Sequence, residues 1–263
     1  MGGLVITTFS ANLGFLWSEL PLPDAIRAAA NAGFDAVECH WPYETPAKEV
    51  ADVLAETGLP MLGLNTVRGK EGENGLAALV GRQTEARLAI DQAIEYAVIV
   101  GAGSVHVMAG IALGQDARQA FLNNLRYACN LAHPHDITIL IEPLNKYDAP
   151  GYFLQTSDQA LELIASLKEP NLKLMFDCYH LQIMEGDLTR RLKKCLPFIG
   201  HIQFASVPDR GEPSKGELQY KHLFNHISRL GYSAPLGAEY KPNGKTEPTL
   251  GWMKWRDIYP QDL

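Results

Sequence analysis

The chain has 263 residues, 46% of them hydrophobic, which is enough for one large core and close to the ~250 residues of a single (β/α)8 barrel. Its net charge of −7 is dispersed, with no stripe of Lys and Arg, and that excludes an extended nucleic-acid face. No run reaches the ~18 apolar residues of a membrane span, which excludes a membrane-spanning helix. Met1-Gly-Gly-Leu-Val-Ile lacks the basic and long apolar regions of a secretory signal. Cys39, Cys129, Cys178 and Cys195 have no CxxC spacing, so they are expected to be buried thiols in a cytoplasmic protein.

In chain order, the first strand is predicted at residues 4–9. A helix over 22–31 follows and stops at Gly33. A strand at 35–39 leads to a helix over 46–57, closed by Gly58. A strand at 60–65 and a helix over 85–100, closed by Gly101, come next. Glycine suits the left-handed residue that ends a helix. Strands at 103–108, 138–142, 172–177, 199–203 and 235–239 complete the set. Helical spacing recurs over 117–132, 157–167 and 220–230. Ser157 and Asp187 are predicted helix N-caps, and Arg190-Arg-Leu-Lys-Lys194 reads as a solvated helix face.

Eight repeats of strand and helix predict an α/β fold. Ser10-Ala-Asn-Leu-Gly14 follows the first strand and is no GxGxxG, so the open dinucleotide-binding sheet is disfavoured. The expected architecture is one (β/α)8 TIM barrel spanning 1–263, with no linker. The glycine-rich stretch 66–81 is too long for a plain connection and reads as a candidate lid over the mouth.

Four polar residues end four successive apolar runs: Glu142, Asp177, Gln203 and Glu239, at intervals of 35, 26 and 36 positions. One strand, one helix and two loops need about 30 residues or more. Each residue therefore falls at the carboxyl end of a strand, and in a barrel those ends share one mouth. Three carboxylates and an amide converging there call for a divalent cation, and all-oxygen donors suit Mg2+ or Mn2+ better than Zn2+. Strand alternation puts Met175 and Lys173 on the inner face with Asp177, and Phe176 and Cys178 toward the helices. It puts His201 with Gln203 and Gly237 with Glu239, so that Gly237 leaves room beneath the site. Pro143 cannot donate to a sheet and ends its strand.

His180, expected in the loop after Asp177, is a candidate hydrogen-bond donor to a substrate. Arg210, in Pro208-Asp-Arg-Gly-Glu-Pro213, could hold a carboxylate bidentately. His40 and His106 are read as pocket lining, and Trp252 and Trp255 as packing or an interface.

Glu142-Pro143, Asp177-Cys-Tyr-His180, His201-Ile-Gln203, Pro208-Asp-Arg-Gly-Glu-Pro213 and Glu239-Tyr-Lys-Pro242 together resemble the hydroxypyruvate isomerase family. That family lies among the xylose-isomerase-like barrels, beside the 2-oxo-tetronate isomerases. The resemblance runs from Phe9-Ser-Ala-Asn-Leu13 to Leu250-Gly-Trp252. It implies Glu142, Asp177, Gln203 and Glu239 as metal ligands, and Glu142 and Glu239 as the acid/base pair. It implies an isomerase of a small hydroxy-oxo acid, acting by proton transfer through an enediolate. Val105-His-Val-Met-Ala-Gly110 and the Asn65–Gly81 stretch look like the oxo-tetronate branch. Glu142-Pro-Leu-Asn-Lys-Tyr-Asp148 looks like hydroxypyruvate isomerase, so both substrates stay open. Ketose 3-epimerases of the superfamily are the alternative, but they carry histidine where this chain has Gln203. A non-catalytic sugar-binding barrel, a two-metal hydride-shift isomerase and a zinc apurinic-site endonuclease are further alternatives. A homo-oligomer is possible by analogy alone.

Overall fold

The computed structural model describes residues 7–257. Its strands are β1 (Phe9–Asn12), β2 (Ala36–Glu38), β3 (Gly63–Asn65), β4 (Ser104–His106), β5 (Thr138–Ile141), β6 (Leu172–Asp177), β7 (Ile199–Phe204) and β8 (Leu236–Ala238). All pair in parallel, in the order β2-β1-β8-β7-β6-β5-β4-β3. The two ends of the sheet then meet. Val37 N donates to Pro60 O at 3.0 Å and Leu62 N to Val37 O at 2.7 Å, which brings the sheet round into the expected barrel.

The helices between strands are α1 (Leu22–Asn31), α2 (Ala47–Thr57), α3 (Gln83–Val100), α4 (Gly114–Ala132), α5 (Ser157–Leu167), α6 (Cys178–Met184), α7 (Leu188–Cys195) and α8 (Tyr220–Arg229). Gly58 and Gly101 end α2 and α3 at φ 71° and 68°, where an L side chain would be strained. The N-cap of α5 is Thr156 rather than Ser157, since the Thr156 hydroxyl accepts from Gln159 N. Asp187 does precede α7, but its carboxylate pairs with Arg190 at 3.1 Å and caps no amide. Arg190 is solvated as expected, while Arg191 turns back onto Glu185 at 2.7 Å.

The first strand departs from expectation. Residues 4–6 of the predicted 4–9 lie outside the described residues, and β1 begins only at Phe9 and runs to Asn12. An apolar run was the wrong guide here, because the inner face of β1 is polar. Ser10 and Asn12 are buried and hydrogen-bond Glu38, while Phe9 points outward. Phe9 meets Phe204, Phe224 and Trp252 with ring centroids 5.9, 5.3 and 4.9 Å away. This aromatic cluster glues β1 and β7 to α8 and to the 3-10 turns of Glu247–Asp257. Trp252 is therefore core, and Trp255 packs behind it on Phe224. All four cysteines are buried and unbridged.

The stretch 66–81 crosses to the exit of β4. Its second half is tied down, with Ala78 N donating to Ala109 O at 2.7 Å and Asn124 Nδ2 to Ala77 O at 2.8 Å. No helix among the described residues is long and apolar enough to cross a membrane.

Candidate active site

Glu142 follows β5, Asp177 ends β6, Gln203 lies near the end of β7, and Glu239 follows β8. All four are buried at the same mouth. One donor atom from each of Glu142, Asp177, His180 and Glu239 lies within 4.8 Å of all the others. A cavity of about 310 Å3 opens over them, lined by Glu142, His180, Glu239, Arg210, Trp41 and Arg68 among others.

Local structure aims each group. Asp177 is also the N-cap of α6, so its Oδ1 accepts from Tyr179 N at 2.7 Å. That fixes the carboxylate and leaves Oδ2 without a hydrogen-bond partner. The amide of Gln203 is fixed from below, where Nε2 donates to Glu38 Oε1 at 2.8 Å. A carboxylate only accepts, so the amide nitrogen must face it and Oε1 points away, again unpartnered. Glu142 Oε1 is unpartnered too. Three of the four expected ligands thus each present one buried oxygen with no hydrogen-bond partner among the described residues. Native interiors rarely leave such atoms. A hard divalent cation takes this kind of donor, so the residues fit one.

Glu239 is the exception. Its Oε1 accepts from Asn12 Nδ2 at 3.0 Å and lies 2.7 Å from His40 Nε2, and its Oε2 accepts from Arg210 at 2.6 Å. Arg210 sits at φ 52° and is held between the faces of Phe15 and Tyr179, 4.9 and 5.0 Å from its guanidinium carbon. Arg210, expected to hold a substrate carboxylate, pairs in this structure with carboxylates of the protein. Besides Glu239 it reaches Asp177 at 3.6 Å and Asp148 at 3.4 Å.

These neighbours separate the proton affinities of the acids. Burial, then the charges of Glu239 and Asp177, push the Glu142 carboxyl well above the usual carboxylate range. Burial and Glu239 raise Asp177 to about 7. Burial also acts to raise Glu239, but Arg210 and His40 outweigh it and hold that carboxyl well below the usual range.

His180 lies inside α6, not in a loop, because Asp177 caps a helix that starts at once. Its Nδ1 accepts from Asn145 N at 3.0 Å. Burial, then the Arg210 charge, depress its pKa, so the ring is neutral with its proton on Nε2. That N–H lies 3.6 Å from Asp177 Oδ2 and 3.9 Å from Glu142 Oε1. In this tautomer His180 is a donor rather than a metal ligand, although it shares the cluster.

Sequence reasoning missed the layer beneath. Glu38 ends β2 just as the four named residues end their strands, so the same rule would have found it. It accepts from Ser10, Asn12 and Gln203 and pairs with His201 Nε2 at 2.5 Å. Burial acts against both charges, yet each holds the other ionised: the Glu38 pKa is lowered and the His201 pKa raised. His40 and His106 both line the mouth, the latter 3.5 Å from Glu142 Oε2. Gly237 does leave the expected room, and this pair fills it. A Cβ there would stand 2.7 Å from Glu38 Oε1, 2.8 Å from His201 Nε2 and 2.9 Å from Gln203 Cγ. Gly237→Ala is expected to destabilise the fold by about 1–3 kcal/mol, as overpacking does. Thermal unfolding checks this, and an unchanged midpoint contradicts the packing described.

The profile of the family described as xylose isomerase-like TIM barrel matches residues 26–255. The chain is similar to the 2-oxo-tetronate isomerase of Cupriavidus necator, at 44% identity over 94% of this chain and 97% of that protein. It is also similar to the hydroxypyruvate isomerase of Escherichia coli, at 39% identity over 93% and 97%. Among solved structures, one named AP endonuclease, family 2, from Brucella melitensis superposes with a TM-score of 0.91 at 40% identity, over 95% of this chain and 98% of that one. Solved 3-epimerases of sugars align at about 19% identity and share the fold. The chain belongs to the hydroxypyruvate isomerase and 2-oxo-tetronate isomerase family of xylose isomerase-like TIM barrels.

Proposed function

We propose that the protein isomerises a small hydroxy-oxo acid by metal-assisted proton transfer between adjacent carbons. Hydroxypyruvate and a 2-oxo-tetronate are the substrates that its relatives' names give, and the partners in the reaction would be tartronate semialdehyde and a 3-oxo isomer. The observation that carries the reading is the cluster of donor atoms of Glu142, Asp177, His180 and Glu239 within 4.8 Å of one another, in which Glu142 and Asp177 each leave a buried oxygen without a hydrogen-bond partner.

Glu142, Asp177, Gln203 and Glu239 would hold the ion. When bound, Mg2+ or Mn2+ supplies the positive charge that lowers the pKa of a C–H beside a carbonyl and stabilises an enediolate. Glu142 and Glu239 act as the acid/base pair. They come from β5 and β8, three places apart round the barrel, so they reach the substrate from different walls. One removes a proton from the first carbon and the other delivers one to its neighbour. The Nε2–H of His180 donates to an oxygen that gains charge. Arg210 stays at the reacting end, where it orients Glu239 and neutralises part of the acidic cluster.

An endonuclease reading, raised by the name of the Brucella structure, lacks the basic DNA face on this chain of net charge −7. The test is to strip the protein with a chelator and assay both acids with Mg2+ or Mn2+ restored. The reading expects turnover to vanish and return with the ion. Full turnover in the stripped protein contradicts it.

A further inference from the structure

A hydroxy-oxo acid brings a carboxylate of its own into a mouth already crowded with negative charge. Among the described residues, Glu142, Asp177 and Glu239 are offset by Arg210 and by the His40 contact to Glu239, together with a divalent ion, and Asp148 adds a further carboxylate 3.4 Å from Arg210. Glu38 and His201 balance each other. The substrate carboxylate therefore needs a cation that the protein has not already used. Resting on the function proposed above, we infer that Arg68 is that cation: it takes the carboxylate of the substrate and makes the site select acids over neutral sugars.

Arg68 lines the same cavity as Glu142, His180 and Glu239. Its guanidinium carbon lies 5.0 Å from the centroid of the Trp41 indole, over the ring. Nε donates to Asn74 Oδ1 at 3.1 Å, and Nη2 donates to the same oxygen. Asn74 is itself buried and held at φ 53°. Both supports are neutral. Among the described residues no carboxylate lies within the 4.0 Å of an ion pair from Arg68, in contrast to Arg82 on the same segment, which pairs with Glu73 and Glu85. A fork held flat by an indole and an amide, with its charge uncompensated, is set to receive a planar anion. Lys241 also lines the cavity, but it is a single point charge 5.5 Å above the Phe15 ring, and among the described residues no hydrogen-bond or ion-pair partner fixes its ammonium.

The test pairs kinetics with a ligand that does not react. Arg68→Met is expected to raise KM for the acid by about 10- to 100-fold, the range for losing a charge-assisted bidentate contact, with a much smaller change in kcat. Calorimetry with hydroxymalonate on the Mg2+-loaded protein is expected to read the same loss. Binding of dihydroxyacetone, which has no carboxylate, is expected to be unaltered, and Arg68→Lys to recover part of the acid affinity. Arg68 is exposed, so the thermal midpoint stays that of the parent. Hydroxymalonate binding within twofold of the parent overturns the inference, as does an equal loss for dihydroxyacetone or a loss in Lys241→Met alone. Absence of turnover in the parent protein would instead overturn the proposed function, while the calorimetry still decides the role of Arg68.

Discussion

Glu142→Gln and Glu239→Gln are each expected to lower kcat/KM by about 10^4-fold, the upper end for a positioned acid or base. Each change removes a proton carrier and a charged donor to the metal together. Their effects on stability should have opposite signs. Glu142 is buried among like charges with one oxygen unpartnered, so an ionised carboxylate there is costly. The amide needs neither that charge nor the proton that Glu142 takes up on folding, so the metal-free protein should gain about 1–3 kcal/mol. Glu239 balances Arg210 at 2.6 Å, and both side chains are largely buried. Its amide leaves the guanidinium uncompensated, so a loss of about 3–5 kcal/mol is expected. Chemical unfolding with and without chelator checks both. Equal shifts in the two variants would contradict the charge arrangement, and near-normal turnover in either would contradict the acid/base pair.

The second large effect is placed on Glu38, which touches no cavity-lining carboxylate and still decides how Gln203 is presented. Glu38→Ala removes the partner of a buried, charged His201 and frees the Gln203 amide to turn. The expected cost is about 3–5 kcal/mol, as for one broken member of a buried ion pair. The milder Glu38→Gln should keep the fold and weaken metal affinity about 10- to 100-fold, the range for support groups behind a ligand. The pair also gives a pH signature. The Glu38 pKa is depressed by folding, so its contribution is present above the unfolded carboxyl pKa and fades as pH falls through the folded one. The His201 pKa is raised, so its contribution is present below the unfolded imidazole pKa and fades as pH rises through the folded one. Glu38→Ala should flatten both arms of the stability profile. Parent-like metal affinity in Glu38→Gln would contradict the support role.

The barrel was legible because its later strands are buried on both faces. Runs such as Ile139–Ile141 and Leu174–Phe176 therefore read as unbroken apolar stretches that stop at a polar residue. The same rule located Glu142, Asp177, Gln203 and Glu239. It failed at β1, where Ser10 and Asn12 face inward and the apolar run lies upstream. It was not applied to β2, whose three residues end at Glu38. His180 reads as a loop residue because nothing in Asp177-Cys-Tyr-His180 shows that the strand-end carboxylate also caps a helix that starts at once. The pairing of Arg210 with Glu239 could not be read at all. The two stand 29 positions apart with α8 between them, and their contact depends on a turn that bends Arg210 into the mouth at positive φ.

The most direct test of the central claim is proton NMR of the reaction in D2O with Mg2+, using hydroxypyruvate and then a 2-oxo-tetronate. The account predicts metal-dependent interconversion with solvent deuterium entering at the carbon that receives the proton, and loss of both in Glu142→Gln. Interconversion with no deuterium in the product would contradict it, because hydrogen would then pass directly from carbon to carbon without visiting either glutamate.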